Sequence, residues 1–265
     1  MVPALDRGFM FGDGVYEVIP VYNGRPFALS RHLKRLNNSL DEIRLPSPLT
    51  DEEWKSLMLA GIEKSGETTA SLYLQVTRGV APTRDHRYPD GVQPTVFMMV
   101  SPSKLLERKQ VDPLNMVTMD DFRWSRGHIK TISLIAAGML RNEAIARGAD
   151  DVILVRDGFV TEASASNVFI ASQGVLVTPP KSRHILHGIT RDVIVELARD
   201  NGITVEERDF TVDELFAADE VMISSSSHEI WPVGTIDGKP VGNGAGGVMW
   251  RQLDALFQAS KQAEA

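Results

Sequence analysis

The order of apolar and polar residues predicts both strands and helices in this chain. Alternating or β-branched apolar runs predict strands at 15–22, 25–29, 70–78, 93–100, 115–119, 151–155, 159–162, 168–170, 174–177, 203–208 and 220–224. Apolar residues at helical spacing predict helices at 30–40, 50–65, about 132–147, 188–200 and 250–265. Because the two kinds of element do not alternate regularly, we expect an α+β fold of two domains rather than a doubly wound sheet.

Local signals fix several of these boundaries. Asn23-Gly24 and Asp157-Gly158 predict tight turns between strands, Ser30 is a candidate helix N-cap, and Thr50 has capping-box spacing to Glu53. The polar stretch 101–113 contains two prolines and several charges, so it is a candidate linker. We therefore place the domains at 1–103 and 104–265.

Composition narrows the class of protein. The 28 Lys and Arg residues against 35 Asp and Glu residues give a net charge of −7, which argues against nonspecific binding to nucleic acid. The absence of cysteine excludes disulfides, thiolate metal sites and a thiol nucleophile. The N-terminus does not resemble a signal peptide, and no apolar run approaches the roughly 20 residues that span a bilayer. We expect a cytoplasmic protein that does not bind membranes.

Two residues could carry covalent or electron-sink chemistry. Lys130 precedes a predicted apolar helix, where a lysine is usually solvated but could also form a Schiff base if its amine were partly buried. Glu162 ends a predicted hairpin strand, where a glutamate is usually an edge charge but could, if buried, hold a proton on a pyridine nitrogen. Spacing alone favours the ordinary interpretation of each.

Other residues could bind anions. A helix entrance and a run of four serines offer N–H and O–H donors, although each could be a simple cap or turn. Arginine and histidine side chains could bind carboxylate or phosphate, and tyrosine could line a pocket. These candidates are 188–191, 224–227, Arg35, Arg84, His86 and Tyr16. The sequence has no Walker A pattern, no Gly-x-Gly-x-x-Gly that opens a strand–helix unit and no Gly-x-Ser-x-Gly elbow. It also lacks His-x-x-Glu spacing, so it predicts no metal site.

The motifs in this order resemble the fold-type IV pyridoxal-phosphate enzymes, and most closely the D-amino-acid (D-alanine) aminotransferases. The resemblance extends from about Asp6 to Val233. It is carried by Asp-Arg-Gly-Phe-Met-Phe-Gly-Asp-Gly-Val-Tyr-Glu at 6–17, His-Leu-Lys-Arg-Leu at 32–36, Arg-Asp-His at 84–86, Ile-Lys at 129–130, Val-Thr-Glu-Ala-Ser-Ala-Ser-Asn at 160–167, Gly-Ile-Thr-Arg-Asp at 188–192 and Ser-Ser-Ser-Ser-His-Glu-Ile at 224–230. It implies a small N-terminal α/β domain and a larger C-terminal domain with a barrel-like sheet.

The resemblance also implies a role for each candidate. Lys130 would hold pyridoxal 5′-phosphate covalently and, once freed, move a proton between substrate Cα and cofactor C4′. Glu162 would pair with the pyridine nitrogen. The phosphate would be bound by Arg35, the backbone at Ile189 and Thr190, and Ser225 with Ser226. Tyr16, Arg84 and His86 would bind the substrate carboxylate, with Arg84 and His86 supplied by the other subunit of a homodimer.

The implied reaction is a two-step transamination from a D-amino acid, with D-alanine expected, to a 2-oxo acid, with 2-oxoglutarate expected. Arg84 and His86 favour the D-specific members of the family. Branched-chain aminotransferases and aminodeoxychorismate lyases share the lysine and the glutamate but generally lack this pair. Both enzymes stay open as alternatives, as does a pyridoxal-phosphate-binding protein without catalytic activity.

Overall fold

The computed structural model describes residues 2–103 and 111–264 of the chain. The described residues form two compact units, one of 2–103, 129–134 and 264, the other of 111–128 and 135–263. Most of the predicted linker, and the residues that follow the predicted boundary at 103, lie outside the described residues. Residues 129–134, which include Lys130, belong to the first unit. The segments that precede and follow them, 111–128 and 135–263, belong to the second.

The first unit contains a four-stranded antiparallel sheet and two long helices. Its strands have the order β2-β1-β3-β4. In chain order the elements are α1 (Arg7–Phe11), β1 (Gly14–Tyr22), β2 (Arg25–Pro26), α2 (Leu29–Glu42), α3 (Asp51–Ser65), β3 (Ala70–Thr77) and β4 (Thr95–Pro102).

The core of the first unit follows the periodicity of its sequence. Strand β3 buries every second residue, namely Ala70, Leu72, Leu74 and Val76. Helices α2 and α3 bury residues three or four positions apart, namely Leu33, Leu36, Leu40, Trp54, Met58 and Ile62. The apolar faces of the helices and of the sheet therefore form one core.

The second unit is built on a nine-stranded mixed sheet. Its strands have the order β10-β9-β8-β11-β12-β5-β6-β7, with β13 paired to β12. In chain order the elements are β5 (Leu114–Asp120), α4 (Ile135–Ala146), β6 (Asp151–Arg156), β7 (Phe159–Ala163), β8 (Asn167–Ser172), β9 (Val175–Thr178), α5 (Ile189–Asp200), β10 (Val205–Glu207), α6 (Val212–Ala217), β11 (Glu220–Ser225), β12 (Glu229–Ile236), β13 (Lys239–Pro240) and α7 (Val248–Glu264).

The connection between β7 and β8 curls this sheet. Strand β7 is one end of the strand order, while β8 is third from the other end. Only residues 164–166 join them, and three residues reach no more than about 11 Å. The two strands must therefore lie close together, which bends the sheet into the curled half-barrel of this unit. This agrees with the barrel-like sheet that the resemblance implied.

Both faces of the curled sheet are covered. On β6, Ile153 belongs to a core with residues of β8 and β11, whereas Val152 and Leu154 pack with Leu140 and Ala144 of α4. Alternate residues of β6 therefore pack in different hydrophobic cores, one on each face of the sheet. Because both faces are buried, the sequence of β6 is a continuous apolar run.

Several predicted boundaries are wrong for physical reasons. Ser30 is not the N-cap of α2, because the helix begins at Leu29 after Ala28 in the left-handed conformation, with no side-chain cap. Strand β2 is two residues long rather than five. Helix α4 begins at Ile135 rather than near residue 132, because the Ile132 N–H donates to the Gly14 oxygen of β1. The sequence patterns missed α1, α6, β12 and β13.

In the part of the chain that the structure describes, no helix has the length and apolar character needed to cross a bilayer. Within the same residues, no group of three or more His, Asp or Glu side chains is arranged to hold a metal ion.

Candidate active site

Lys130 lies in the segment 129–134, which runs along β1. Its backbone oxygen accepts a 3.0 Å hydrogen bond from the Tyr16 N–H, and its own N–H donates to Ser39 Oγ at 3.2 Å. The side chain is partly exposed, and its Nζ is 4.2 Å from the centre of the Tyr16 ring. Backbone hydrogen bonds thus fix the position of the lysine and bring it together with a second predicted site residue.

Glu17 forms a buried cluster with two side chains of α2. Arg35 donates to its carboxylate from Nε at 2.8 Å and from Nη2 at 2.6 Å, and His32 Nδ1 lies 2.8 Å from Oε2. Arg35, a predicted phosphate ligand, is therefore oriented by an acid that sequence analysis did not single out. The signal for this cluster was the pair of polar residues at 32 and 35, each of which directly precedes a buried leucine, Leu33 or Leu36.

The Glu17 carboxylate is ionised and His32 is neutral near pH 7. Burial by itself would raise the pKa of Glu17, but the charge and hydrogen bonds of Arg35 and the hydrogen bond from His32 outweigh it and hold the pKa at about 2 instead of 4.5. Burial lowers the pKa of His32 from its usual value. The neutral imidazole then donates its Nδ1–H to Glu17.

Acid is expected to destabilise the first unit through Glu17. Because its folded-state pKa of about 2 lies below the ordinary 4.5, the stabilisation is complete above pH 4.5 and is lost as the pH falls toward 2. The loss approaches about 3 kcal/mol. Urea unfolding of the wild type and of Glu17→Gln, between about pH 6 and pH 3, measures it. The variant should start less stable and lose less on acidification, and parallel losses in both proteins would contradict the assignment.

Arg84 and His86 lie on the exposed loop between β3 and β4. The guanidinium carbon of Arg84 is 5.0 Å from the centre of the Phe11 ring, and the His86 ring is 5.3 Å from it. Asp85 does not pair with Arg84, because its carboxylate binds Arg87 at 2.7 Å and 2.9 Å. The two predicted carboxylate-binding side chains therefore share one aromatic neighbour, and the acid between them is occupied by another arginine.

Glu162, on β7, is buried and oriented by three donors. Arg123 donates to Oε1 at 2.7 Å, and Oε2 accepts from the Leu186 N–H at 3.0 Å and from Asn167 Nδ2 at 3.3 Å. Burial raises the pKa of this carboxyl, and the Arg123 charge opposes that rise. The interpretation of Glu162 as a solvated edge charge is therefore wrong, because the curl of the sheet encloses its strand.

Arg123 joins Glu162 to a second buried acid. It donates to both oxygens of Asp121, from Nε at 2.9 Å and from Nη2 at 3.0 Å. Arg156 lies 3.3 Å from Asp121, and Thr161 donates to it at 3.0 Å. Sequence analysis named neither Arg123 nor Asp121 among the candidate site residues. The sequence carried no signal for this network, because it depends on which strands lie beside β7.

The N-terminus of α5 has no side-chain cap. Gly188 is its N-cap and supplies no side-chain hydrogen bond to the first turn, which contains the buried Ile189 and Thr190. A Cβ at position 188 would lie 2.0 Å from Asn167 Oδ1, so the close approach of the two segments requires glycine.

The serine turn, residues 224–227, comprises the last two residues of β11 and the first two residues of its connection to β12. Ser225 Oγ accepts from the His228 N–H at 3.1 Å, and Ser226 lies in the turn itself. Ser224 Oγ is buried and has no hydrogen-bond partner among the described residues. Since Ser224 pairs in register with Asn167 and Asn167 contacts Gly188, the end of β11 and the start of α5 are neighbours. The unit thus gathers hydroxyl and amide donors in one place.

The predicted site residues are therefore found in two sets. The first unit holds Tyr16, Arg35, Arg84, His86 and Lys130. The second unit holds Glu162, Ile189, Thr190, Ser225 and Ser226.

Comparison with known proteins gives consistent findings. The family described as amino-transferase class IV matches residues 14–236. The D-alanine aminotransferase of Bacillus licheniformis is 41% identical over 259 residues, which cover 98% of this chain and 91% of the relative. The D-alanine aminotransferase of Listeria monocytogenes serotype 1/2a (strain 10403S) is 42% identical over 255 residues, which cover 95% of this chain and 88% of the relative.

Solved structures agree with the fold. The branched-chain aminotransferase of the archaeon Thermoproteus uzoniensis, determined with norvaline, superposes with a TM-score of 0.89 at 28% identity. The match covers 100% of this chain and 90% of that one.

Proposed function

The chain belongs to the class IV aminotransferases, and from this premise we propose that it transfers the amino group of a D-amino acid to a 2-oxo acid. D-alanine is the expected donor and 2-oxoglutarate the expected acceptor. The observation that carries the proposal is the 41% identity, over 98% of the chain, with a D-alanine aminotransferase.

The surroundings of Glu162 fit the pyridine nitrogen of pyridoxal phosphate, the cofactor that the family implies. An ionised carboxylate has about four lone-pair positions, and three are used, two on Oε2 and one on Oε1. Oε1 can therefore accept one further N–H. Arg123 favours the charged form of this acid, which in turn favours a protonated pyridine nitrogen. When bound, the cofactor supplies an electron sink for the negative charge that develops at substrate Cα.

The start of α5 and the serine turn fit the cofactor phosphate. The first-turn N–H groups of α5 lack a side-chain cap, and the buried Ser224 Oγ lacks a partner among the residues that the structure describes. Backbone N–H groups at a helix N-terminus and nearby hydroxyls are suitable donors to a phosphate. Arg35 is the proposed cation of this set, and Glu17 holds its guanidinium in one orientation.

Lys130 is proposed to hold the cofactor covalently and to move the proton at substrate Cα. An amine that has been released from its covalent bond can accept and return a proton. The Lys130 oxygen accepts from the Tyr16 N–H and the Lys130 N–H donates to Ser39 Oγ, and these two hydrogen bonds fix the base of the side chain. The proton is therefore delivered from a defined direction, which is what stereospecific transfer requires.

Arg84 and His86 are proposed to bind the substrate carboxylate. A guanidinium can bind both carboxylate oxygens, and an imidazolium adds another donor. Both residues are exposed on their loop and available to a ligand. The proposal includes a homodimer in which the loop of one protomer serves the site of its partner.

A panel of amino donors and acceptors tests the proposed function. Purified enzyme with pyridoxal phosphate should form pyruvate from D-alanine over many turnovers only when a 2-oxo acid is present, because without an acceptor no more than one pyruvate per cofactor can form. We expect 2-oxoglutarate to be an effective acceptor. A clear preference for L-leucine would favour a branched-chain aminotransferase. Release of pyruvate from aminodeoxychorismate without an acceptor would favour a lyase. Bound cofactor without turnover of any amine would favour a binding protein.

A further inference from the structure

A buried arginine holds the backbone of the loop that carries Arg84 and His86. Arg7 donates from Nη1 to the backbone oxygens of Asp85 at 2.6 Å and Arg87 at 3.3 Å, and Nη2 lies 3.5 Å from the His86 oxygen. Only 3% of Arg7 is exposed. Three consecutive carbonyl groups therefore point at one guanidinium, which has enough donors to serve all of them.

The sequence places Arg7 there through a very short capped helix. Asp6 accepts the Gly8 N–H at 2.8 Å and begins α1, and Gly12, in the left-handed conformation with φ 64°, ends it. This single turn puts Arg7 and Phe11 four residues apart on one side of the helix. Their proximity is seen directly, since the Arg7 guanidinium carbon is 4.7 Å from the centre of the Phe11 ring.

The two ends of the loop that joins β3 to β4 are also held close together. The Arg7 N–H donates to the Gly79 oxygen at 2.8 Å, where the loop leaves β3. Gly79 has φ +94°, and a Cβ there would lie 1.9 Å from the Gln93 oxygen, so the two ends of the loop approach as closely as glycine allows. Tyr88 of the loop makes a further contact, because the Arg78 guanidinium carbon is 3.7 Å from the centre of its ring.

Phe11 acts on the side chains rather than on the backbone. Its ring lies 5.0 Å from the guanidinium carbon of Arg84 and 5.3 Å from the ring of His86. Both distances are within the range of cation–π and aromatic contacts. The two proposed carboxylate-binding groups thus pack on a residue of the same helical turn that holds their backbone.

We propose that Arg7 and Phe11 are positioning residues for recognition of the substrate carboxylate: Arg7 fixes the loop backbone, and Phe11 fixes the directions of Arg84 and His86. This inference rests on the proposed function. An exposed loop must otherwise lose conformational freedom when substrate binds, and fixing it beforehand strengthens binding. Neither residue needs to touch the substrate.

Substitutions at the two positions separate the two roles. Arg7→Met removes the backbone anchor, Arg7→Lys keeps a charge beside Asp13 but has a shorter reach, and Phe11→Leu removes the ring. Asp13 keeps Arg78 as a partner at 2.9 Å in the Arg7 variants, so no buried acid is left unpaired. Met58→Ala, on the buried face of α3, is the control for a general loss of stability.

Kinetics and trypsin cleavage give independent measurements. In Arg7→Met, KM for D-alanine should rise tenfold to about a hundredfold, with a smaller change in kcat and an unchanged cofactor absorbance spectrum. Trypsin cleavage after Arg84 and Arg87 should become several times faster. Arg7→Lys should fall between this variant and the wild type. Phe11→Leu should raise KM without faster cleavage, and Met58→Ala should lower thermal stability without changing KM.

The outcomes distinguish this inference from the proposed function. Wild-type cleavage rates and KM values in both Arg7 variants would overturn the anchor, and an unchanged KM in Phe11→Leu would overturn the role of the ring. If Arg7→Met does not fold, Arg7→Lys and Phe11→Leu decide the same question. If the wild type does not transaminate D-amino acids, the proposed function and the substrate role fail together, and the trypsin comparison alone still shows whether Arg7 holds the loop.

Discussion

Lys130→Ala is expected to abolish transamination while the protein stays folded. The substitution removes the only amine assigned to the covalent bond with the cofactor and to proton movement at substrate Cα. Loss of the proton-transfer step alone lowers a rate by roughly 10²–10⁴-fold. The fold should survive, because the hydrogen bonds that fix this segment come from the Lys130 backbone. Steady-state rates with D-alanine and 2-oxoglutarate, together with circular dichroism, measure both effects.

Covalent labelling gives the matched control for this variant. Borohydride reduction of the wild type should leave the pyridoxyl mass on the peptide that contains residue 130, and the alanine variant should lack it. Lys64→Ala changes an exposed lysine at the end of α3 in the same unit and should behave as the wild type. Full activity in Lys130→Ala would end the proposed mechanism.

Arg123→Met is expected to reduce the free energy of unfolding by about 3–5 kcal/mol, the range measured when one partner of a buried ion pair is removed. The side chain of Asp121 is fully buried, that of Glu162 is 6% exposed, and Arg123 binds both. Without it, Glu162 keeps only two neutral donors, and Asp121 keeps Arg156 as its cation. Urea unfolding with matched cofactor content measures the loss.

The pH dependence of this loss has a definite sign. Burial already raises the pKa of Glu162, and removal of the Arg123 charge raises it further. A carboxyl with a raised folded-state pKa favours the folded state at low pH and loses that advantage as the pH rises. The Arg123→Met deficit should therefore be larger near pH 8 than near pH 5, and adding Glu162→Gln should recover part of it.

An exposed arginine provides the comparison. Arg147 pairs with Glu143 on α4 at 2.9 Å, and both side chains are more than half exposed. Arg147→Met should change the free energy of unfolding by less than about 0.5 kcal/mol. If both substitutions cost the same, the buried network around Glu162 does not have the energetic role assigned to it.

Short sequence signals correctly predicted features that depend only on residues close together in the chain. The capping box of Thr50 and Glu53 predicted the start of α3, and the structure contains both of its hydrogen bonds. The same reasoning was wrong at Ser30, because α2 begins at Leu29, directly after a left-handed Ala28. A backbone turn set by the preceding strand pair decides that boundary, and a capping preference cannot report it.

The candidate site residues could be proposed from the sequence, but their hydrogen-bond partners could not. Lys130 and Glu162 were recognisable by their motif order, whereas the partners of Glu162 are 39, 24 and 5 residues away in the chain. The anchor of the substrate loop joins residues 78 to 80 positions apart. Such pairs depend on strand order and register, which residue spacing does not encode.

The three-residue connection of β7 to β8 constrains how this enzyme can be engineered. Glu162 precedes it, Asn167 follows it, and the two side chains meet at 3.3 Å across it. Ser164 and Ser166 are buried and only Ala165 is exposed, so a randomised library has most freedom at position 165. An insertion or deletion in this link would move the amide out of register with the acid.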